Sequence, residues 1–149
     1  MCDVAVVSMT VPFVAGLDRA RATSRGGYIH QYDTAKNKRN KSLIQAAYTR
    51  ACLEQYGMPM KARNHVPVTL RIETYRELPK SRPKSVEEEP DTYTPDADNE
   101  AKLILDALND VAWVDDAQVN RLIVYKHDRI RGIEPHTEAT IMFEWDDIR

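Results

Sequence analysis

The sequence predicts an α+β domain: a small mixed sheet of about four strands with two main helices, in the order β-α-β-α-β-β. Three observations carry this. Apolar residues recur at three- and four-residue spacing in two separate stretches, which marks a helical face. Four other stretches are rich in β-branched residues or alternate apolar with polar, which marks strands. No repeat and no separating linker divides the 149 residues. The expectation is therefore one domain over 1–149, with a long Pro- and Glu-containing loop at 77–95.

The first strand is expected over 4–14, where Val4, Val6, Val7, Val11, Phe13 and Val14 gather. Pro12 lacks an amide donor and places this strand at a sheet edge. A loop follows over 16–33, with Arg19, Arg21, Arg25, the Gly26-Gly27 pair and Tyr28. Arginines beside a turn and an aromatic ring suit contact with phosphates and bases, and they equally suit a solvated hairpin.

A helix is expected over 36–56. Leu43, Ile44, Ala47, Tyr48, Ala51 and Cys52 form its stripe, and Gly57 and Pro59 stop it. Its first turns are basic, with Lys36, Lys38, Arg39 and Lys41. Positive charge there opposes the helix dipole, at a small local cost that a binding surface or good packing tolerates.

The second strand covers 66–76, with Val68, Leu70 and Ile72 alternating against Thr69, Arg71 and Glu73. The 77–95 stretch holds Pro79, Pro83, Pro90, Pro95 and the run Glu87-Glu88-Glu89. It reads as a mobile, solvated loop. The second helix covers 98–109, with Pro95 ahead of it, Asp96 or Asp98 as its N-cap, and Leu103, Ile104, Ala107 and Leu108 facing the core. Strands follow over 118–126 and 136–145, and the polar 127–135 connection lets them pair as a hairpin.

Composition sets the surroundings. Hydrophobic content of 42% and charged content of 30% fit a globular fold. No apolar run reaches the roughly 20 residues of a membrane helix. The first residues, Met-Cys-Asp-Val, have neither a basic segment nor a long apolar one. Cys2 and Cys52 have no metal-ligand spacing. A reducing, cytoplasmic setting is expected.

Charge is unevenly spread. Residues 1–84 carry 15 Lys and Arg against 6 Asp and Glu, whereas 85–149 carry 6 against 17. The split suits an anionic partner at one surface and a cation at another, and it also suits two differently solvated faces.

The candidate chemistry lies in 95–119. Asp96 and Asp98 open the second helix, Lys102 follows one turn later, and Asp115 and Asp116 come just past its end. Oxygen ligands grouped this way suit a hard cation such as Mg²⁺. A bound metal could drive phosphodiester hydrolysis, with Lys102 contacting the phosphate. This requires the chain, on its return, to bring a later Asp back beside the first pair. Taken singly, an Asp before a helix is most often a cap, and an Asp pair in a turn is most often a turn. Asp98, Lys102 and Asp106 also fit a surface ion-pair row. Both readings stand on the residues alone. No Gly-rich phosphate loop, serine-hydrolase elbow or zinc-protease motif is present.

Taken together, the stretch Asp96-Ala97-Asp98-Asn99, Lys102, Asp106-Ala107-Leu108-Asn109 and Asp115-Asp116-Ala117-Gln118-Val119 resembles the RusA family of Holliday-junction resolvases, common in phages and prophages. Some 25 residues match at the family's spacing, and Arg19 and Arg21 resemble its basic segment after the first strand. The resemblance implies a homodimer that cuts four-way junctions or related branched DNA with Mg²⁺, in recombination and repair. It implies Asp96, Asp98 and Asp116 as metal carboxylates and Lys102 as the catalytic lysine beside Asp98, with Asp115 and Asn99 supporting. Arg19, Arg21, Arg25, Lys36, Lys38, Arg39 and Lys41 are the expected grip on DNA. Asp106 is read as a helix-face residue. Glu100 departs from the family, which often has an apolar residue there. Competing readings are a non-catalytic binder of branched DNA, another Mg²⁺ enzyme acting on nucleotides or phosphosugars, and a structural protein whose acids only cap and turn.

Overall fold

The computed structural model describes residues 3–18, 21–25 and 27–146. The strands are β1 (Asp3–Val11), β2 (Arg21–Arg25), β3 (Tyr28–Tyr32), β4 (Val68–Tyr75), β5 (Glu88–Glu89), β6 (Val119–Lys126), β7 (Arg129–Ile130) and β8 (His136–Trp145). The helices are α1 (Ala35–Tyr56) and α2 (Ala97–Leu108), and a 3-10 turn covers Asp116–Gln118. This is the expected α+β class. A four-stranded mixed sheet in the order β1-β8-β4-β6 carries the two helices, and the short pairs β2-β3 and β5-β7 lie outside it.

Alternation builds the core. Along β4, Val68, Leu70, Ile72 and Thr74 are buried while their neighbours are not, and along β8 Thr137, Ala139, Ile141 and Phe143 repeat the pattern. Ala5, Val7, Met9 and Val11 of β1 join them, as do Ile44, Tyr48 and Cys52 of α1 and Ala101, Leu103, Ile104, Ala107 and Leu108 of α2. The expected helical stripe holds except at Leu43, which is exposed. Thr34 caps α1 by accepting from the Asn37 amide, and Gly57 closes it with φ 70°, a left-handed conformation that glycine adopts without strain.

Pro12 ends β1 earlier than the apolar run suggested, and β1 does lie at an edge. That edge is covered by side chains of α1. The Tyr56 hydroxyl accepts from Val6 N (2.8 Å) and donates to Val6 O (3.2 Å). The Gln55 amide accepts from Ser8 N (3.1 Å) and donates to Ser8 O (2.7 Å).

One expected pairing is overturned. β6 and β8 do not form a hairpin. β6 runs parallel to β4, while β8 lies antiparallel between β1 and β4. The physical reason is the β4-α2-β6 crossover, in which the helix lies on one sheet face and returns the chain parallel to its start. The 127–135 connection does not turn tightly back. It carries β7, which pairs with β5.

The 77–95 stretch is more tied down than its composition suggests. Arg82 and Arg129 both pair with Glu89, and Arg131 donates to the carbonyls of Pro83 and Val86. Tyr93 lies beneath the Arg129 guanidinium, 3.9 Å from ring centroid to Cζ. Glu87 and Glu88 remain exposed.

Candidate active site

Asp96 occupies the N-cap position of α2 with extended backbone, φ −68° and ψ 155°. Its side chain makes no capping hydrogen bond, and among the described residues it has no ion pair either. The most ordinary job for an aspartate here is therefore not being done. Asp98 sits in the first turn, exposed, with Lys102 Nζ at 3.6 Å. Asp96 and Asp98 thus offer two acids at the positive end of a helix dipole.

A buried network fixes the chain just before them. Arg76 grips Asp91 in a two-point pair, Nε to Oδ2 at 2.8 Å and Nη2 to Oδ1 at 2.6 Å. Its remaining nitrogen, Nη1, donates to Thr94 O at 3.0 Å. Lys126, the last residue of β6, donates to the carbonyls of Tyr93 and Pro95. The Thr94–Pro95 peptide between them is cis. Burial raises the Asp91 carboxyl, but the Arg76 bond and charge outweigh it and hold the group below its usual range. Glu100 lies underneath, 2% exposed, with no hydrogen bond to either oxygen. Burial, aided by the Asp91 charge and opposed by Lys126 and Arg76, pushes it up to about 7.

On the other side, the loop leaving β1 docks against the same helix start. Leu17 N donates to Asn99 O at 3.2 Å. A Cβ on Gly16 would meet Asn99 Nδ2 at 2.6 Å and Pro95 Cβ at 2.8 Å, so only glycine permits this approach. The fully buried Asn37 anchors the loop by bonding both backbone groups of Asp18. A cleft of about 300 Å³ results, lined by Gly16, Asp18, Lys36, Thr94, Pro95 and Asn99. It brings the basic start of α1 to the acidic start of α2.

The second acidic pair lies elsewhere. Asp115 and Asp116 stand at the 3-10 turn after α2, before β6 begins. β6 does run back along α2, since its last residue, Lys126, reaches Pro95 at the helix start. The return happens only after Asp116, so the two acidic pairs sit at opposite ends of a helix about 18 Å long. Asp116 is half-buried and accepts a hydrogen bond from the buried Trp113 indole at 2.7 Å. Burial raises its pKa, as do the charges of Asp106 and Asp115, against the Trp113 bond. Among the described residues, no three Asp, Glu, His or Cys side chains gather closely enough to hold a metal ion.

Gln118 shapes this second turn. Its Oε1 accepts from Val114 N (2.8 Å) and Asp115 N (3.0 Å), and its Nε2 donates to Arg63 O (2.7 Å) and Val66 O (3.1 Å). In the sequence Gln118 stands out only as part of the Asp115-Asp116-Ala117-Gln118-Val119 pattern. No role for Trp113, Arg76, Asp91 or Lys126 is legible there.

The expected DNA grip is divided. Lys36, Lys38 and Arg39 are exposed on the first turns of α1. Lys41 turns inward, to Asp33 at 2.6 Å and Asp106 at 3.6 Å. Asp106 is thus an ion-pair partner as well as part of the field at Asp116. Arg19 lies outside the described residues. The backbones of Arg21 and Arg25 lie in β2, but their side chains are not described.

These features define a crossover α+β domain with exposed acids where the helix and sheet segments meet. Residues 12–142 match the family model described as Endodeoxyribonuclease RusA, and the chain belongs to that family. It is also similar to a protein of Bacillus subtilis (strain 168) described as uncharacterized protein YqaN, with 32% identity over 131 residues, 83% of this chain and 85% of the relative.

Proposed function

We propose that this protein is a Mg²⁺-dependent endodeoxyribonuclease that resolves four-way or related branched DNA by paired cuts, in recombination and repair. The observation that carries this reading is the unused carboxylate of Asp96 beside Asp98, one turn from Lys102, in a chain of the RusA family.

The donor chemistry fits the metal. Mg²⁺ keeps several waters and is commonly bound by one or two carboxylates together with substrate phosphate. The Asp96–Asp98 pair meets that need without a third ligand from the same end. A bound Mg²⁺ would polarise the scissile phosphate and lower the pKa of a bound water. The chain's own residues would do the rest. Lys102 would lie against a non-bridging phosphate oxygen, where added negative charge is stabilised by a fixed cation. Lys36 in the cleft, with Lys38 and Arg39 beyond it, would hold flanking phosphates in a salt-dependent way. The Arg76 and Lys126 bonds to the 93–95 carbonyls would keep the helix start from shifting.

Two symmetric cuts call for a two-fold protein. A homodimer would also resolve the separation of the acids. α2 has one acidic pair at each end, so two copies meeting antiparallel would set unlike ends side by side. No helix among the described residues is long and apolar enough to cross a membrane.

The test is nicking of a synthetic four-way junction by wild type and Asp98→Asn, with Mg²⁺ and with chelator, beside linear duplex. The expected result is Mg²⁺-dependent, junction-selective nicking that the variant loses by a thousandfold or more. A folded wild type that binds junctions without cutting them would select the non-catalytic alternative. Undiminished cutting by Asp98→Asn would remove these acids from the reaction.

A further inference from the structure

Tyr93 stands three residues before Asp96 and is 45% exposed, yet it is held on several sides. Its amide donates to Asp91 Oδ1 at 3.4 Å, and its carbonyl accepts from Lys126 Nζ. The Arg129 guanidinium lies against one face of the ring, with Cζ 3.9 Å from the centroid. Arg82 Nη2 donates to the hydroxyl at 3.1 Å. Arg82 Cζ is 5.8 Å from the centroid, which sets that guanidinium past the hydroxyl rather than over the ring. Both arginines bond Glu89, so the frame around the ring is closed. Among the described residues no other ring or cation lies against Tyr93. One face is clamped and the other is presented to solvent.

We propose that the open face of Tyr93 stacks on an unpaired base at the branch of the DNA substrate. This rests on the nuclease reading above and adds a contact to it. Three residues span at most about 11 Å of chain. The ring and the Asp96–Asp98 pair therefore serve the same short stretch of strand, about three nucleotides at 3.4 Å each. A phosphate held between the two acids brings the neighbouring bases within reach of the ring. An aromatic that only fastened its loop would bury its ring. A ring braced from behind loses little freedom when a base covers its front. Two guanidiniums sharing one carboxylate also leave positive charge beside it, which suits an anionic strand.

The contact separates branched from linear DNA. In a continuous duplex each base face is covered by its neighbour, whereas a branch uncovers faces. Every base has such a face, so the stack is indifferent to sequence. Phosphate contacts from the exposed Lys36, Lys38 and Arg39 hold either kind of DNA and cannot make this distinction.

Binding to a four-way junction and to a linear duplex, measured on the full chain with Ca²⁺ in place of Mg²⁺, tests this. Tyr93→Ala should weaken junction binding about tenfold or more and leave duplex binding within about twofold. Tyr93→Phe keeps the ring, loses the Arg82 bond and should match wild type on both. In wild type, 5-iodouracil placed at the branch should photocross-link to Tyr93, a readout that needs no variant. Equal losses on junction and duplex, a Tyr93→Phe variant as weak as Tyr93→Ala, or cross-links only to other residues would overturn the stack and leave Tyr93 as a loop fastener. A wild type that binds no branched DNA overturns both this inference and the nuclease reading. The expected Tyr93 losses without cutting in Mg²⁺ remove the nuclease reading and leave the stack. Cutting in Mg²⁺ with undiminished junction binding by Tyr93→Ala does the reverse.

Discussion

Within ten residues, 91–100, the chain places two kinds of carboxylate in opposite conditions. Asp91 and Glu100 are buried beside Arg76 and Lys126, whereas Asp96 and Asp98 are exposed and, among the described residues, Asp96 has no ion pair or capping bond and Asp98 pairs with Lys102. Of the buried two, Asp91 holds the chain through Arg76 while Glu100 is enclosed without a hydrogen bond; the exposed pair is left for something that arrives. The difference separates position from chemistry. The segment can be fixed tightly because its cations are spent on Asp91 and on main-chain carbonyls, and the outer acids stay free for the same reason. Changes to the inner set should therefore appear in stability, and changes to the outer set in activity.

In folding free energy, Arg76→Ala should be the most costly. It leaves the buried Asp91 charge with Lys126 at 3.8 Å and a long hydrogen bond from the Tyr93 amide at 3.4 Å, and breaking a buried pair from one side costs about 3–5 kcal/mol. Urea unfolding at neutral pH measures it. A loss below about 1 kcal/mol would mean that the network does not hold the segment.

Next comes Glu100→Leu, with the opposite sign. The carboxyl is raised from its ordinary value near 4.5 to about 7, so the folded chain keeps a proton that the unfolded chain gives up in that window. Native stability is then lost as pH rises from about 4.5 to about 7, and little changes above that. Leucine removes this loss. The gain should be about 3 kcal/mol at pH 8 and under about 1 kcal/mol at pH 5, read from unfolding midpoints at the two pH values. Equal effects at both would show that Glu100 does not titrate in this range.

Smallest in stability is Lys102→Met. Its contact with Asp98 is exposed and long, worth a few tenths of a kcal/mol. If the outer set carries the chemistry, this variant should fold normally and cut junctions about a hundredfold more slowly. Normal cutting would assign Lys102 to the surface row instead.

Much of this was legible in advance, because it depends on local pattern. The alternation of Val68, Leu70 and Ile72 gave β4, and the stripe from Leu103 to Leu108 gave α2. What escaped depends on partners distant in sequence. A run such as 136–145 reads as a strand, but nothing in it says that β8 belongs between β1 and β4. Arg76, Asp91 and Lys126 are ordinary charges until folding brings them to one carbonyl cluster. Glu100 stood out as a departure from the family, yet its burial follows only from the packing of α2. The acids themselves were visible from spacing. Their placement at opposite ends of α2 was not, because Asp116 precedes the strand that returns along the helix.

Gln118 has one further consequence. A single amide ties the backbone of Val114 and Asp115 to that of Arg63 and Val66, and no slack remains in it. The acidic turn and the segment leading into β4 are therefore joined through one side chain, and a ligand that draws this turn toward itself pulls on hydrogen bonds whose far ends lie some fifty residues upstream in the chain.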